Sequence, residues 1–210
     1  MLSRPEGKIY LDSNIWFSYL LKKDANKDGS KTSIESNQVH SIINKIISDS
    51  NTIALTSHLV ILEIISIIRK KIVTKMKIQG NKDIDDKQSK IHLKNTIDDL
   101  TRNFIDYMTK WEASGKIRIV KIDEPLSAII KKEQKILKKN FGEIKKTTHC
   151  FVCKAEYHEY TYRGIDHYDI QHAIIAEYAK ADQFITFDRG YEYIKDDFPS
   201  LDIQIFDPIQ

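Results

Sequence analysis

Short apolar runs that stop on a polar or acidic residue and give way to a helix pattern recur through this chain, and that alternation most narrows what it can fold into. Lys8 to Leu11 leads straight into Asp12-Ser13-Asn14, after which Ile15 to Leu21 turns helical. Thr52 to Leu55 is followed by Thr56 and Ser57, either of which suits the N-cap of a helix from His58 to Lys77. Ile117 to Ile122 precedes Pro125, which opens a helix to about Asn140 at a position where proline is tolerated. Phe184, Ile185 and Phe187 form a compact strand that ends on Asp188, and Ile203 to Phe206 forms a last one. Two further helix patterns stand between strands. Ser36 to Ser50 carries Val39, Ile42, Ile43, Ile46 and Ile47 on one face, and from Asp169 the apolar positions Ile170, Ala173, Ile174, Ala176, Tyr178 and Ala179 recur at near-helical spacing. Strands separated by helices predict an α/β fold with three layers, a parallel sheet covered on both faces.

Two stretches interrupt the alternation. Ile78 to Ser89 is a polar break, followed by a long helix pattern from about Ile91 to Glu112 with Leu93, Ile97, Leu100, Phe104, Ile105, Met108 and Trp111. It predicts an inserted helical hairpin at about residues 78–114, packed on Ile64 to Ile72 and ended by Ser114-Gly115. Phe141 to Arg163 has no period and is expected to be an irregular insertion at about residues 141–163. A chain of 210 residues with 41% hydrophobic content can bury a full core, so residues 1–210 are expected to form a single domain. Its +3 charge is a balance of 33 basic and 30 acidic residues and does not by itself announce a nucleic-acid binder. Cys150 and Cys153 are too few and too close for a secreted disulfide scaffold. The first residues hold no apolar signal core, and the apolar run Leu59 to Ile68 is broken by Glu63 and Ser66. A soluble cytoplasmic protein with no membrane partner is the expectation.

Four acids stand out: Asp12 after the first strand, Glu63 in the helix after the second, Asp169 at a helix start and Asp188 after the fourth strand. The carboxyl ends of parallel strands lie along one edge of a sheet, where α/β folds keep their sites, so these acids are expected to converge. Oxygen ligands at that density suit Mg²⁺ or Mn²⁺. Such a cation lowers the pKa of water and steadies charge on a phosphorane-like transition state. Asn14 is placed to orient Asp12 or an attacking water, and Asp166 to be a further ligand or a supporting partner. Each acid also has a plainer reading: Asp12 and Asp169 as helix caps, Asp188 as the residue shaping the turn into Arg189-Gly190, Asp166 as a surface acid. Glu63 resists that treatment. A carboxylate amid Leu59, Val60, Leu62, Ile64 and Ile65 caps nothing, and burying it is costly without a cation or donor to compensate.

The pattern I-Y-L-D-S-N at the start, an acid on the helix after the second strand, D-I-Q-H-A-I-I-A on a late helix and F-I-T-F-D near the end resembles the PIN domain. The late stretch is the most specific part, with Asp169, a small-residue helix and Thr186-x-Asp188 in order. The resemblance covers roughly Lys8 to Glu63 and Arg118 to Pro208 in discontinuous blocks. It implies a Rossmann-like parallel sheet and a Mg²⁺- or Mn²⁺-dependent endoribonuclease with Asp12, Glu63, Asp169 and Asp188 as catalytic and metal-binding residues and Asn14 and Thr186 in support. Small members are ribonuclease toxins of toxin and antitoxin pairs, so the implied partners are RNA, an antitoxin-like protein or a second copy of the chain. The alternative is a non-catalytic scaffold that binds RNA or a protein partner.

Other motifs compete for metal. Asp24, Asn26 and Asp28, followed by Gly29 and Glu35, fit the spacing of a calcium loop, although Lys31 stands where such a loop wants an apolar residue. His149, Cys150, Cys153 and His158 give most of a zinc-knuckle spacing for a structural Zn²⁺, with Arg163 in place of the last ligand and His167 or His172 as substitutes; reduced thiols are the simpler reading. Lysine clusters at Arg69 to Lys77, Lys131 to Lys139 and Lys145-Lys146 are ordinary helix faces or a basic rim for a phosphate backbone. Arg163 and Arg189 are candidate substrate contacts, and Tyr160, Tyr162 and Tyr168 are candidates for stacking on unpaired bases.

Overall fold

The computed structural model describes residues 7–20, 31–78, 87–121, 126–141, 146–149, 156–159 and 167–206. Its elements in chain order are β1 (Gly7–Leu11), α1 (Ser13–Leu20), α2 (Lys31–Ser48), β2 (Thr52–Ser57), α3 (His58–Ile78), α4 (Lys87–Ala113), β3 (Ile117–Val120), α5 (Leu126–Phe141), β4 (Lys146–His149), β5 (Glu156–Glu159), α6 (His167–Tyr178), β6 (Gln183–Thr186) and β7 (Asp202–Ile205). Two short 3-10 turns, Arg189–Tyr193 and Lys195–Asp197, join the last two strands.

Five strands form one sheet of order β3-β2-β1-β6-β7, and every pair in it is parallel. The α/β architecture expected from the alternation is therefore present. The chain winds outward from β1 in one direction and returns past it in the other, so the strand order reverses between β1 and β6. Right-handed crossovers then put α1 to α4 on one face and α5 and α6 on the opposite face. Contacts of α1 with α2 and α3, and of α5 with α6, agree with that division.

The core runs through both faces. Tyr10 and Leu11 of β1 are fully buried and point to opposite sides, Tyr10 stacking on Phe184 of β6 with ring centroids 5.4 Å apart. The inserted helix α4 packs on α3, and its C-terminal end is tied into the core. Phe104 and Met108 are buried and Trp111 packs on Trp16 and Tyr19 of α1, whereas Leu100 and Ile105 are exposed. Gly115 ends α4 with φ 73°, and the bonds Lys116 N to Trp111 O and Gly115 N to Glu112 O close the helix around that left-handed residue. The described residues of the expected irregular insertion include regular structure. Lys146–His149 and Glu156–Glu159 pair antiparallel, Thr147 opposite His158 and His149 opposite Glu156, a hairpin whose polar strands carry no apolar run to announce them. Helix α2 also begins earlier than its apolar spacing suggests, at Lys31 rather than Ser36. Among the described residues no helix is long and apolar enough to cross a membrane.

Candidate metal centre at the switch between strands β1 and β6

Ser57, Asp12 and Thr186 stand at the carboxyl ends of β2, β1 and β6, at the crevice where the strand order reverses. Helices from both faces reach this edge. α3 brings Glu63 and α6 brings His172, and one ligand atom each from Asp12, Glu63 and His172 lie within 4.8 Å of one another.

Asp12 is fully buried and its carboxylate is held on both oxygens. Oδ1 accepts from the Ser13 N–H at 2.6 Å, and Oδ2 accepts from the Thr186 hydroxyl at 2.7 Å and the Asn14 amide at 2.9 Å. The Asn14 amide nitrogen also donates to Thr186 Oγ1 at 2.9 Å, and its oxygen accepts from the Phe187 N–H at 3.2 Å. The first of the two roles expected of Asn14, bracing Asp12, is seen in these bonds. Burial raises the Asp12 carboxyl above the usual carboxylate range, against the lowering effects of the His172 charge, the Thr186 hydroxyl and the Ser13 N–H.

Glu63 finds the compensation its setting demands. His172 Nε2 lies 2.7 Å from Glu63 Oε2, and the Ser13 hydroxyl also hydrogen-bonds the carboxylate. Burial alone pushes this half-buried acid up. The His172 hydrogen bond and charge, with Ser13, outweigh it, and the Glu63 carboxyl ends below its ordinary value. His172 itself has no exposed surface. Its other nitrogen, Nδ1, lies 3.1 Å from the Tyr10 hydroxyl, which lies 2.8 Å from Ser57 Oγ; Ser57 in turn caps α3 by accepting from the Val60 N–H at 3.3 Å.

Asp169 and Asp188 stand outside the tight trio of Asp12, Glu63 and His172. Asp169 is in the first turn of α6, one turn before His172 on the same face. Asp188 caps the first 3-10 turn by accepting from the Gly190 N–H at 2.7 Å, the turn-shaping role weighed for it. Both nevertheless share a field with Asp12. The buried Tyr191 hydroxyl, which donates to the Asp169 carbonyl at 2.9 Å, is pushed well above its ordinary value first by burial and then by the charges of Asp12, Asp169, Tyr10 and Asp188. Helix α6 is anchored from the other side as well. The buried Glu133 carboxylate of α5 accepts from His167 and, at 2.8 Å, from Gln171, both in the first two turns of α6.

Arg189 lies exposed at the start of the 3-10 turn, beside Asp188. Asp166 and Arg163 lie outside the described residues, as do Tyr160, Tyr162, Asp24, Asn26, Asp28, Cys150 and Cys153. Glu35 falls on α2, and His149 and His158 fall on β4 and β5, where the backbone alone is described. On α5, Ala128, Lys131, Lys132, Lys135, Ile136 and Lys139, with Asp197, line a groove of about 370 Å³. Within it Lys132 pairs with Glu177 and Lys139 with Asp197.

Sequence reasoning placed Asp12 and Glu63 at the centre with Asn14 and Thr186 in support, but not His172 or the hydroxyls behind it. Tyr10 and Ser57 were read only as a strand residue and a cap, and His172 only as a substitute zinc ligand. The available signal was an imidazole directly before the apolar run Ala173 to Ala176, one helical turn after Asp169. No family model, curated protein or solved structure matches the chain.

Proposed function

We propose that the chain is a metal-dependent ribonuclease that hydrolyses RNA phosphodiester bonds at this edge of the sheet. The observation that carries the reading is the meeting of Asp12, Glu63 and His172 within 4.8 Å at the switch crevice. The donor set fits a divalent cation: two carboxylates and an imidazole are ligands that such ions accept. Bond lengths of about 2.1 Å put opposite ligands near 4.2 Å apart, so a small closure of the trio suffices.

Asp12, Glu63 and His172 would hold the ion, which when bound supplies a Lewis acid for a phosphoryl oxygen and a lowered pKa for water. The chain's own groups set the stage for that chemistry. Asn14 and Thr186 fix the plane of the Asp12 carboxylate before a cation arrives. His172 and Ser13 do the same for Glu63. Asp169 and Asp188 add negative charge at the flank and are the proposed contacts for a second ion or its waters. The lysines of α5 supply positive surface for a phosphate backbone on the face from which α6 comes. RNA as the substrate, and an antitoxin-like or second-copy partner, rest on the PIN-domain resemblance.

The test is cleavage of single-stranded RNA by the purified chain with Mn²⁺ or Mg²⁺, beside Asp12→Asn. Metal-dependent cleavage that disappears in the variant supports the reading. Cleavage undiminished by the substitution refutes the mechanism, and binding of RNA without cleavage points to the scaffold alternative.

A further inference from the structure

We propose that His172 is a nitrogen ligand of this centre and that it makes the site selective for a first-row transition-metal dication over Mg²⁺ or Ca²⁺. The inference rests on the reading of Asp12, Glu63 and His172 as a cation site and adds which cation the site takes and how the histidine is held for it.

A histidine buried to this degree is most often a polar group satisfied by its neighbours. His172 is satisfied in a particular way. Its Nε2 faces the carboxylate pair, 2.7 Å from Glu63 Oε2, and its Nδ1 faces a hydroxyl, Tyr10 Oη at 3.1 Å, backed by a second hydroxyl, Ser57 Oγ, at 2.8 Å. A metal-binding histidine usually donates its other ring N–H to a fixed acceptor that sets ring orientation and tautomer. Two hydroxyls in series serve both tautomers, because each can donate or accept.

Without a cation, Nε2–H donates to Glu63; Nδ1 of a neutral ring accepts from Tyr10, which then accepts from Ser57, whereas Nδ1–H of a charged ring donates to Tyr10. With a cation on Nε2, the neutral ring carries its proton on Nδ1 and donates to Tyr10, whose hydroxyl turns to donate to Ser57. Tyr10 and Ser57 keep their own protons; they only rotate. The Glu63 oxygen released by Nε2–H becomes free for the same ion. Imidazole binds Mn²⁺, Fe²⁺, Co²⁺ and Zn²⁺ readily, whereas Mg²⁺ and Ca²⁺ strongly prefer oxygen. A site that commits one of its three closest ligands to nitrogen therefore discriminates against the hard ions.

The experiment uses the full chain. Mn²⁺ and Mg²⁺ are titrated separately by calorimetry into the native protein, His172→Gln and Tyr10→Phe, and the Mn²⁺-loaded proteins are read by pulsed electron paramagnetic resonance for coupling to ¹⁴N. His172→Gln replaces the nitrogen ligand with a hard carbonyl oxygen of similar reach. Expected are a directly bound ¹⁴N signal in the native protein, its loss in His172→Gln, and a fall of about tenfold or more in the ratio of Mn²⁺ to Mg²⁺ affinity. Tyr10→Phe removes the acceptor for Nδ1–H and should weaken Mn²⁺ by about 10- to 100-fold while keeping the ¹⁴N signal. The native spectrum decides even if a variant fails to fold. Mn²⁺ bound without ¹⁴N coupling, or equal affinity ratios in native and His172→Gln proteins, overturns the role of His172 and leaves the cation site standing. Absence of Mn²⁺ binding to the native chain overturns both.

Discussion

Thr186→Val is the sharpest test of how Asp12 is held, because it removes one oxygen and almost no volume. Thr186 has no exposed surface, and its hydroxyl makes three hydrogen bonds: it donates to Asp12 Oδ2 and accepts from the Asn14 amide and the Asp188 N–H. A bond to a charged group contributes about 1.5–3 kcal/mol, and stranding a half-buried N–H adds roughly 1 kcal/mol, so the variant should lose about 3 kcal/mol. For a chain of this size that is a fall in melting temperature of about 6–12 °C. Thr56 provides the control. It too is fully buried, and its hydroxyl has no hydrogen-bond partner among the described residues, so Thr56→Val should be neutral or stabilising by about 1 kcal/mol. The loss at Thr186 should also depend on pH. Burial raises the Asp12 carboxyl and the Thr186 hydroxyl restrains that rise. An acid whose folded value lies above its unfolded value costs stability as pH rises from the unfolded value through the folded one, and Thr186→Val extends that fall to higher pH. The gap between native and variant proteins should therefore be smaller at acid pH than at neutral pH. Urea denaturation at an acid and a neutral pH measures it. A gap below about 1 kcal/mol, or one that does not change with pH, refutes the argument that this hydroxyl supports a charged Asp12.

Glu63→Gln should flatten the acid limb of the stability curve: the Glu63 carboxyl is held low, so its contribution is present above its unfolded value and lost as pH falls through the folded one, and an unchanged limb in the variant would remove the His172 pair as its cause. Asp169→Asn should raise the melting temperature in the absence of metal, by relieving repulsion in a crowded anionic region, and shrink the rise produced by Mn²⁺; an undiminished metal-induced rise would show that Asp169 is not part of the centre. Lys180 ends α6 in a left-handed conformation, φ 54°, so Lys180→Gly should be neutral or stabilise by up to about 1 kcal/mol, and clear destabilisation on thermal melting would contradict the strain assigned to it.

What was legible in the sequence depended on range. Strands β1, β2 and β6 were visible because each packs apolar residues into a few positions and stops on a polar one. β4 and β5 were not, because KTTH and EYHE have no apolar alternation and are defined by pairing with each other. Glu63 was legible as a local contradiction, an acid in an apolar helix. His172 was not, since its meaning lies in partners 109 and 162 positions away, Glu63 and Tyr10. Asn14 was assigned two jobs from its position after a strand, and its bonds to Thr186 and Phe187, more than 170 residues on, lie beyond any local reading. The Trp111 contacts with α1 likewise tie the C-terminal end of the insertion into the core, which its own periodicity does not encode.

The place of β1 between β2 and β6 also governs the order in which this molecule can be completed. Its pairing with β2 spans about fifty residues, but the pairing of Tyr10 with Phe184 and the bond from Asp12 N to Ile185 O join nearly opposite ends of the chain. During synthesis the first three strands can associate while β1 remains an open edge, a template for pairing with another chain. Only when residues 167–206 emerge does β6 cover that edge, and the same event brings His172 and Thr186 to Asp12. Closing so long a loop is slow relative to local pairing, so residues 167–206 are expected to set the rate of folding. Fragments that stop before α6 should therefore aggregate through β1.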